Sequence, residues 1–252
     1  MEEIWNGGGE LKGKRLEILG LIPARGGSKG IPGKNLRLLG GKSLVALAVE
    51  SALKSCMITR LVLSTDSEAI SKEGKQAGAE VPFMRPEDLA LDETPTAPVV
   101  IHTLCWLEEN GGYRPDILIL LQPTAPLRQA KHIDGALDLL IATGARCVIS
   151  VTEVPGHYNP FWQFLVRDGI LRPFMDPLKV PSRRQDLPPT YTRNGAIYTA
   201  WTDNWLTGTL SNSHGCAPYV MQSEESVNID SPEDLALAEL ILARRQKNHE
   251  KP

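Results

Sequence analysis

Residues Leu16–Ala24 (LEILGLIPA) run directly into Arg25–Asn35 (RGGSKGIPGKN). The first piece is an unbroken apolar run, short enough for a buried strand and too short for a helix. The second carries four glycines, at 26, 27, 30 and 33, with Arg25, Lys29 and Lys34 interspersed. Glycine lets the backbone approach a ligand closely and turn several N–H groups inward. A buried strand ending in such a loop suits a polyphosphate held at the carboxyl edge of a parallel sheet. The loop is not a Walker A motif, because Ser28 stands where the first glycine is needed and Asn35 follows Lys34. It is not GxGxxG either. On residues alone it also reads as a flexible surface turn with solvated charges.

The pattern continues outward from this stretch. Ser43–Lys54 has apolar residues at helical spacing, and Arg60–Thr65 (RLVLST) predicts a second strand followed by Asp66. Val81–Met84 reads as a further short strand. A helix from about Ala97 to Glu109 leads to the most apolar strand, Asp116–Gln122 (DILILLQ). A helix over His132–Ala142 precedes a strand at Cys147–Val151. Strands alternating with amphipathic helices predict an α/β fold: a mostly parallel, Rossmann-like sheet with helices on both faces. Gly195–Ala200 and Pro218–Met221 predict the last strands. Ser231-Pro232-Glu233-Asp234 predicts the start of the final helix, with serine suited to the N-cap and proline to the first turn.

Between 153 and 192 the alternation stops. The segment is rich in proline, in aromatics (Tyr158, Phe161, Trp162, Phe164, Phe174) and in arginine. Loops this long are uncommon unless they bind something or pack on a partner. We expect an inserted, partly β-hairpin arm that packs on a second subunit. The remaining organisation is one domain over 16–252, preceded by a polar extension at 1–14.

With 42% apolar and 23% charged residues the composition is that of an ordinary globular protein. A net charge of −3 without a basic block disfavours nucleic-acid binding. No apolar run reaches the length of a membrane span, so no membrane role is expected. Cys56, Cys105, Cys147 and Cys216 show no CxxC spacing and read as buried thiols of a reducing, cytoplasmic compartment.

LIPARGGSKGIPGKN resembles the signature of the acylneuraminate cytidylyltransferases, which make CMP-activated sialic acids. STDSEAI (64–70), RPEDLALDETPT (85–96), LLQPTAPLR (120–128), NGAIY (194–198) and VNIDSPEDL (227–235) are similar to further stretches of that family, in the same order. The likeness runs from about Leu16 to Glu239. It implies transfer of CMP from CTP to the anomeric hydroxyl of a nine-carbon acidic sugar, with release of pyrophosphate and use of Mg²⁺, while the aromatic arm predicts a homodimer.

Residue by residue, the resemblance implies that Arg25, Lys29 and Lys34 hold the CTP phosphates with Asn35 beside them. Arg85 would contact the cytosine, with Thr94 and Thr96 around the nucleoside. Gln122 would hydrogen-bond the sugar, Arg184 would grip its carboxylate, and Asn194 and Tyr198 would line that pocket. Asp230 would ligate Mg²⁺. Taken without the family, Arg85 reads as a surface charge, Tyr198 as a core aromatic and Asp230 as an acid beside a helix cap.

Three departures stand out. Asn228 occupies a position where the family often has a second metal-binding aspartate. Thr192 stands where a second sugar-side arginine would fall, and Arg193, one residue on, would point to the opposite side of a regular strand. SNSHGCAP (211–218) replaces paired phenylalanines that some relatives present to the sugar. Alternatives on the same sequence are activation of Kdo or a sugar phosphate, or nucleotide binding without turnover.

Overall fold

The computed structural model describes residues 10–11, 14–176, 181, 183–208 and 215–249. A six-stranded sheet forms the centre. Its strands in chain order are β1 (Ile18–Pro23), β2 (Arg60–Ser64), β3 (Ile117–Leu120), β4 (Cys147–Glu153), β5 (Tyr191–Trp201) and β6 (Cys216–Val220). Across the sheet they run β6-β4-β5-β3-β1-β2. Every neighbouring pair is parallel except the two made by β5, which is antiparallel to both β3 and β4.

The helices are α1 (Leu44–Leu53), α2 (Glu68–Ala77), α3 (Thr96–Gly111), α4 (Ala130–Thr143), α5 (Thr202–Leu206) and α6 (Pro232–His249). One face of the sheet packs on α1, α2 and α4 through Val49, Ile70, Leu137 and Leu140. The other packs on α3 and α5 through Val100, Leu104, Leu107 and Trp205. Both faces are covered because successive residues of the central strands are apolar and point to opposite faces. Ile22 and Ile119 belong to one core, Leu21 and Leu120 to the other. A third cluster lies beneath the carboxyl ends of the strands. There Ile31 of the glycine-rich loop meets Leu127, Val227, Ile229 and Ala238 of α6. That cluster fastens the loop to the segment preceding the last helix.

Capping follows the sequence signals. Ser43 Oγ accepts from the Ala46 N–H at the start of α1, and Ser231 Oγ accepts from the Asp234 N–H at the start of α6. The Asp234 carboxylate accepts in return from the N–H groups of Asp230 and Ser231. These bonds hold its pKa below the usual carboxylate value, against the opposing effect of burial.

Two expectations need correction. Val81–Met84 is not a strand, since the segment is held only by isolated bridges from Glu80 to Val62 of β2 and from Met84 to Thr65. Pro82 within it has no N–H to give to a ladder. The cysteines are not four buried thiols: Cys56 and Cys105 are exposed. Cys147 and Cys216 sit opposite each other on β4 and β6, Cα atoms 4.5 Å apart, and are joined as a disulfide. In the 153–192 segment the hairpin is present, Phe164–Arg167 pairing with Ile170–Pro173 through a turn at Asp168 and Gly169. The 1–14 extension lies largely outside the described residues, as do residues 211–214 of the divergent stretch. Among the described residues no helix is long and apolar enough to cross a membrane.

Packing at α2 yields a test with a counterintuitive sign. A Cβ on Gly74 would lie 2.1 Å from Leu63 Cδ2, in the buried core. Overpacking of this kind costs about 1–3 kcal/mol, against the ~1 kcal/mol that Gly→Ala ordinarily gains in a helix. Gly74→Ala is therefore expected to lower the denaturant midpoint. Gly111→Ala, whose Cβ meets nothing within 4 Å, is expected to leave it unchanged or raise it.

Candidate active site

A cleft of about 300 Å³ opens at the carboxyl ends of β1, β2 and β3, lined by Arg25, Lys34, Asn35, Arg85, Gln122 and Asp230 among others. This is where an open α/β sheet binds ligands, because the loops leaving adjacent strands diverge there. Thr94 and Thr96 also line it. A second cleft of about 350 Å³ adjoins it, and the two share Thr96 and Gln122 as a common wall. Tyr198 lines the second cleft.

The glycine-rich loop is held in place from three sides. Asn35 donates through Nδ2 to the Arg25 carbonyl at 2.8 Å, closing the loop on itself. The Gly26 N–H donates to Asp66 Oδ1 at 2.8 Å, which ties the loop to the end of β2. At Gly30 the backbone passes so close to residue 230 that a Cβ would lie 2.3 Å from the Asp230 carbonyl oxygen. Only glycine permits that approach, and it brings Lys34 to Asp230: Nζ lies 2.9 Å from Oδ1 and 3.0 Å from the Ile229 carbonyl.

Each cation of the loop has a carboxylate partner. Arg25 Nη2 lies 2.7 Å from Asp92 Oδ1, and the exposed Lys29 Nζ lies 3.1 Å from Asp92 Oδ2. The Lys29 bond, followed by the two neighbouring charges, pulls the Asp92 carboxyl below its usual pKa. These pairs are solvent-facing and worth little individually. An incoming polyphosphate, with more charge and more acceptors, can displace Asp92 at small cost.

Arg85 differs in being buried. Its Nε donates to Ser64 Oγ at 3.0 Å and its Nη2 to the Ser64 carbonyl at 2.6 Å, at the end of β2. Burial is the main reason its pKa falls to about 10, with Arg25 adding to the fall and Asp66 opposing it. A buried guanidinium fixed on two sides by one residue presents a rigid donor to the cleft it lines.

Asp230 and Asn228 sit together, with Asn228 Nδ2 2.6 Å from Asp230 Oδ2. Asn228 Oδ1 is buried without a hydrogen-bond partner. The oxygen and nitrogen of an amide are assigned from such networks, so a rotated amide would present Oδ1 beside the carboxylate. Among the described residues no group of three or more His, Cys, Asp or Glu side chains comes together. The donor set is one carboxylate and one amide, which fits a hard cation that brings most of its oxygen ligands with its substrate.

Three of the expected residues stand elsewhere. Lys29, exposed on the loop, lines neither cleft. Asn194 is buried and lines neither cleft. Its Oδ1 accepts from Ser150 Oγ and the Ala196 N–H, and its Nδ2 donates to Ser226 Oγ, so its polar atoms are spent within the protein. Arg184 is exposed in the arm, where its Nε would come 2.8 Å from a Cβ on Gly156, and it lines neither cleft of its own chain.

Sequence reading overlooked Asp92, although it lies within the RPEDLALDETPT stretch. It also assigned nothing to Arg128. Fully buried without a carboxylate, Arg128 donates through Nη1 to the carbonyls of Gln122 (3.0 Å) and Ala196 (2.8 Å). Burial alone lowers its pKa to about 9. It ties the loop that carries Gln122 to β5. An arginine inside an otherwise uncharged LLQPTAP stretch was the available signal.

A glycine-rich loop carrying cations at the carboxyl edge of this sheet, beside a lone metal-competent carboxylate and a second cleft, defines a nucleotidyltransferase. The model described as cytidylyltransferase matches residues 19–160. Over 237 residues the chain is 36% identical to CMP-N,N'-diacetyllegionaminic acid synthase of Legionella pneumophila, covering 92% of this chain and 99% of that one. It is 32% identical over 240 residues to the N-acylneuraminate cytidylyltransferase of Escherichia coli O18:K1:H7, covering 94% of this chain and 54% of the longer relative. Among solved structures, CMP:2-keto-3-deoxy-manno-octonic acid synthetase complexed with CTP shares the fold, with a TM-score of 0.68 at 16% identity over 91% of this chain and 99% of that one. The chain belongs to the cytidylyltransferase family, as a nucleotidyltransferase of the acylneuraminate type.

The contact at Gly30 generates a prediction. Gly30→Ala must push the loop away from residue 230 and separate Lys34 from Asp230. Titration calorimetry with pyrophosphate is expected to show binding weakened by roughly tenfold or more, the loss of at least one charge-assisted contact. Unchanged binding would mean that the close approach does not shape the anion site.

Proposed function

We propose that the protein transfers CMP from CTP to the anomeric hydroxyl of a nine-carbon, sialic-acid-like 2-keto sugar acid, releasing pyrophosphate. The observation that carries this reading is the pair of clefts sharing Gln122 and Thr96. One is cationic and suits a nucleoside triphosphate, while the other is more apolar and adjoins it where the transferred group must pass. The names of the relatives supply the class of acceptor.

In this mechanism Arg25, Lys29 and Lys34 release Asp92 and Asp230 and take up the phosphates. Arg85 reads the cytosine, and Thr94 and Thr96 hold the nucleoside. The acceptor oxygen attacks the α-phosphorus, the bond to the bridging oxygen breaks in line, and the loop cations stabilise the charge gathering on pyrophosphate. Gln122, at the end of β3, orients the acceptor. Mg²⁺, held by Asp230 with Asn228 beside it, would neutralise phosphate charge when bound. Positioning and electrostatics supply most of the rate, since this chemistry needs no covalent intermediate.

The functional unit on this reading is a cytoplasmic homodimer. Phe164, Leu165, Val166, Ile170, Leu171 and Phe174 are all exposed on or beside the arm hairpin. An isolated two-stranded hairpin is marginal in water, and a contiguous apolar surface of this kind is normally covered. A second copy of the chain is the occupant that a symmetric contact supplies. On the neighbour, Arg184 would then be free to meet the other subunit's acceptor.

The decisive assay is pyrophosphate release from CTP and Mg²⁺ against N-acetylneuraminate, its deaminated analogue, legionaminate, pseudaminate and Kdo. Turnover is expected with a nine-carbon acid, and Asp230→Ala is expected to reduce kcat by roughly 10²–10³-fold. Preference for Kdo or a sugar phosphate, or CTP binding without turnover, would replace this reading. Light scattering should give twice the chain mass, with Val166→Asp/Leu171→Asp shifting the protein toward monomer. A monomeric and fully active wild type would dispose of the dimer.

A further inference from the structure

The guanidinium of Arg128 is only half used. Its Nη1 donates to the carbonyls of Gln122 and Ala196. Its Nη2 has a single long contact, 3.5 Å to Ser51 Oγ, and its Nε is buried with no hydrogen-bond partner. Nε and Nη2 form the edge of a guanidinium that takes an oxyanion side-on, as a bidentate pair. Arg60 of this chain uses that edge in this way, with Nε 3.2 Å from Oε1 and Nη2 2.8 Å from Oε2 of Glu80. On Arg128, 3% exposed, the same edge meets no carboxylate among the described residues.

Arg128 lines a groove of about 450 Å³ between α1 and the start of α4, together with Ser51, Lys54, Gln129 and Lys131. The groove shares no lining residue with either cleft of the active site. Lys54, just past the end of α1, is exposed and has no ion-pair partner among the described residues. Lys131 is 61% exposed at its side chain and pairs with Glu225 at 2.7 Å, outside the groove lining. One carboxylate, Glu50, also lines the groove, but both its oxygens lie 2.7 Å from Lys42 Nζ, so its charge is already met. The first residues of α4, a helix of 14 residues, form part of the wall and add the partial positive charge of a helix start. Leu47 and Pro126 make the remainder apolar.

We infer that this groove is a second anion site, which binds a phosphate group, free or borne on a small organic molecule, with Arg128 at its base and Lys54 and Lys131 at its rim. A buried cation without a counter-ion is costly, and so is a buried N–H without an acceptor. An oxyanion on the Nε–Nη2 edge removes both costs at once. Phosphate suits the place better than carboxylate does, because it has oxygens to spare for the two lysines after filling that edge. The apolar wall gives the organic part of an ester somewhere to lie. Because Nη1 of the same guanidinium holds the Gln122 carbonyl, the ligand sits directly behind the wall that the two clefts share. The inference is independent of which acceptor the active site takes.

The test is titration calorimetry on the full chain with inorganic phosphate and, separately, with glycerol 3-phosphate. Wild type is expected to bind with a Kd of roughly millimolar, the scale set by a few charge-assisted contacts. Tighter binding of glycerol 3-phosphate assigns the site to an ester, and equal binding assigns it to the free anion. Lys54→Glu, at an exposed position that the fold does not need, is expected to weaken binding by roughly tenfold or more. Gly30→Ala, which disturbs the glycine-rich loop, should leave this binding in place. Arg128→Met should abolish it, and should that variant fold poorly, Lys54→Glu alone decides. Absence of binding by wild type at roughly ten times the expected Kd overturns the inference. So does binding that Lys54→Glu leaves unchanged, and so does binding that Gly30→Ala removes, since that anion would sit on the loop of the active site.

Discussion

Strand β5 enters the sheet at the edge where its neighbours β3 and β4 leave it. It is the one antiparallel member of the sheet, wedged between them. Residues 191–195 therefore arrive beside the end of β3, where Gln122 sits, instead of at the far edge. The reversal is what gives the protein two clefts with one shared wall. The burial of Arg128, whose guanidinium bonds both the Gln122 and Ala196 carbonyls, locks that wall. A buried cation without a counter-ion is costly, and the lowering of its pKa reflects that cost.

The phosphate side uses a different physical device. Its cations are paired with carboxylates, Arg25 and Lys29 by Asp92 near solvent and the mostly buried Lys34 by Asp230. Weak pairs of this kind hold the side chains near their working positions without competing strongly with a triphosphate. Arg85 is the exception, anchored to Ser64 under the cleft, and rigidity there suits recognition of a planar base more than of a flexible phosphate chain. The two styles of arginine follow from depth. One lies at the rim and can exchange partners; the other lies in the floor and cannot.

Much of this was legible in the residues themselves. The apolar runs over Leu16–Ala24, Arg60–Thr65 and Asp116–Gln122 read as buried strands, and Ser231 marked a helix start by the hydrogen bond it can make. The glycine-rich loop stood out because four glycines and three cations follow directly on a buried strand. Gly30 shows why the reading succeeds locally: its requirement is for absence of a side chain, and a sequence states that directly. Reading failed at Val81–Met84, where strand propensity was present but Pro82 and the neighbouring geometry left only two bridges. It did not show that Asn194 spends its polar atoms within the protein, because motif membership does not say which way a side chain faces.

The sequence by itself determined the α/β class, the run of strands and helices, the glycine-rich loop after the first strand and the family. These rest on local periodicity and on residue types whose chemistry has few alternatives. Only the tertiary structure decided which side chains share a cavity. The β5 bulge changes the parity of the strand between Arg193 and Tyr198, and that change comes from pairing with β4, forty residues away in the chain. The same holds for Asp92 with Arg25 and for Cys147 with Cys216, whose meeting depends on sheet order and loop path. Contacts between distant segments are fixed by the packing of the whole, and no local pattern encodes them.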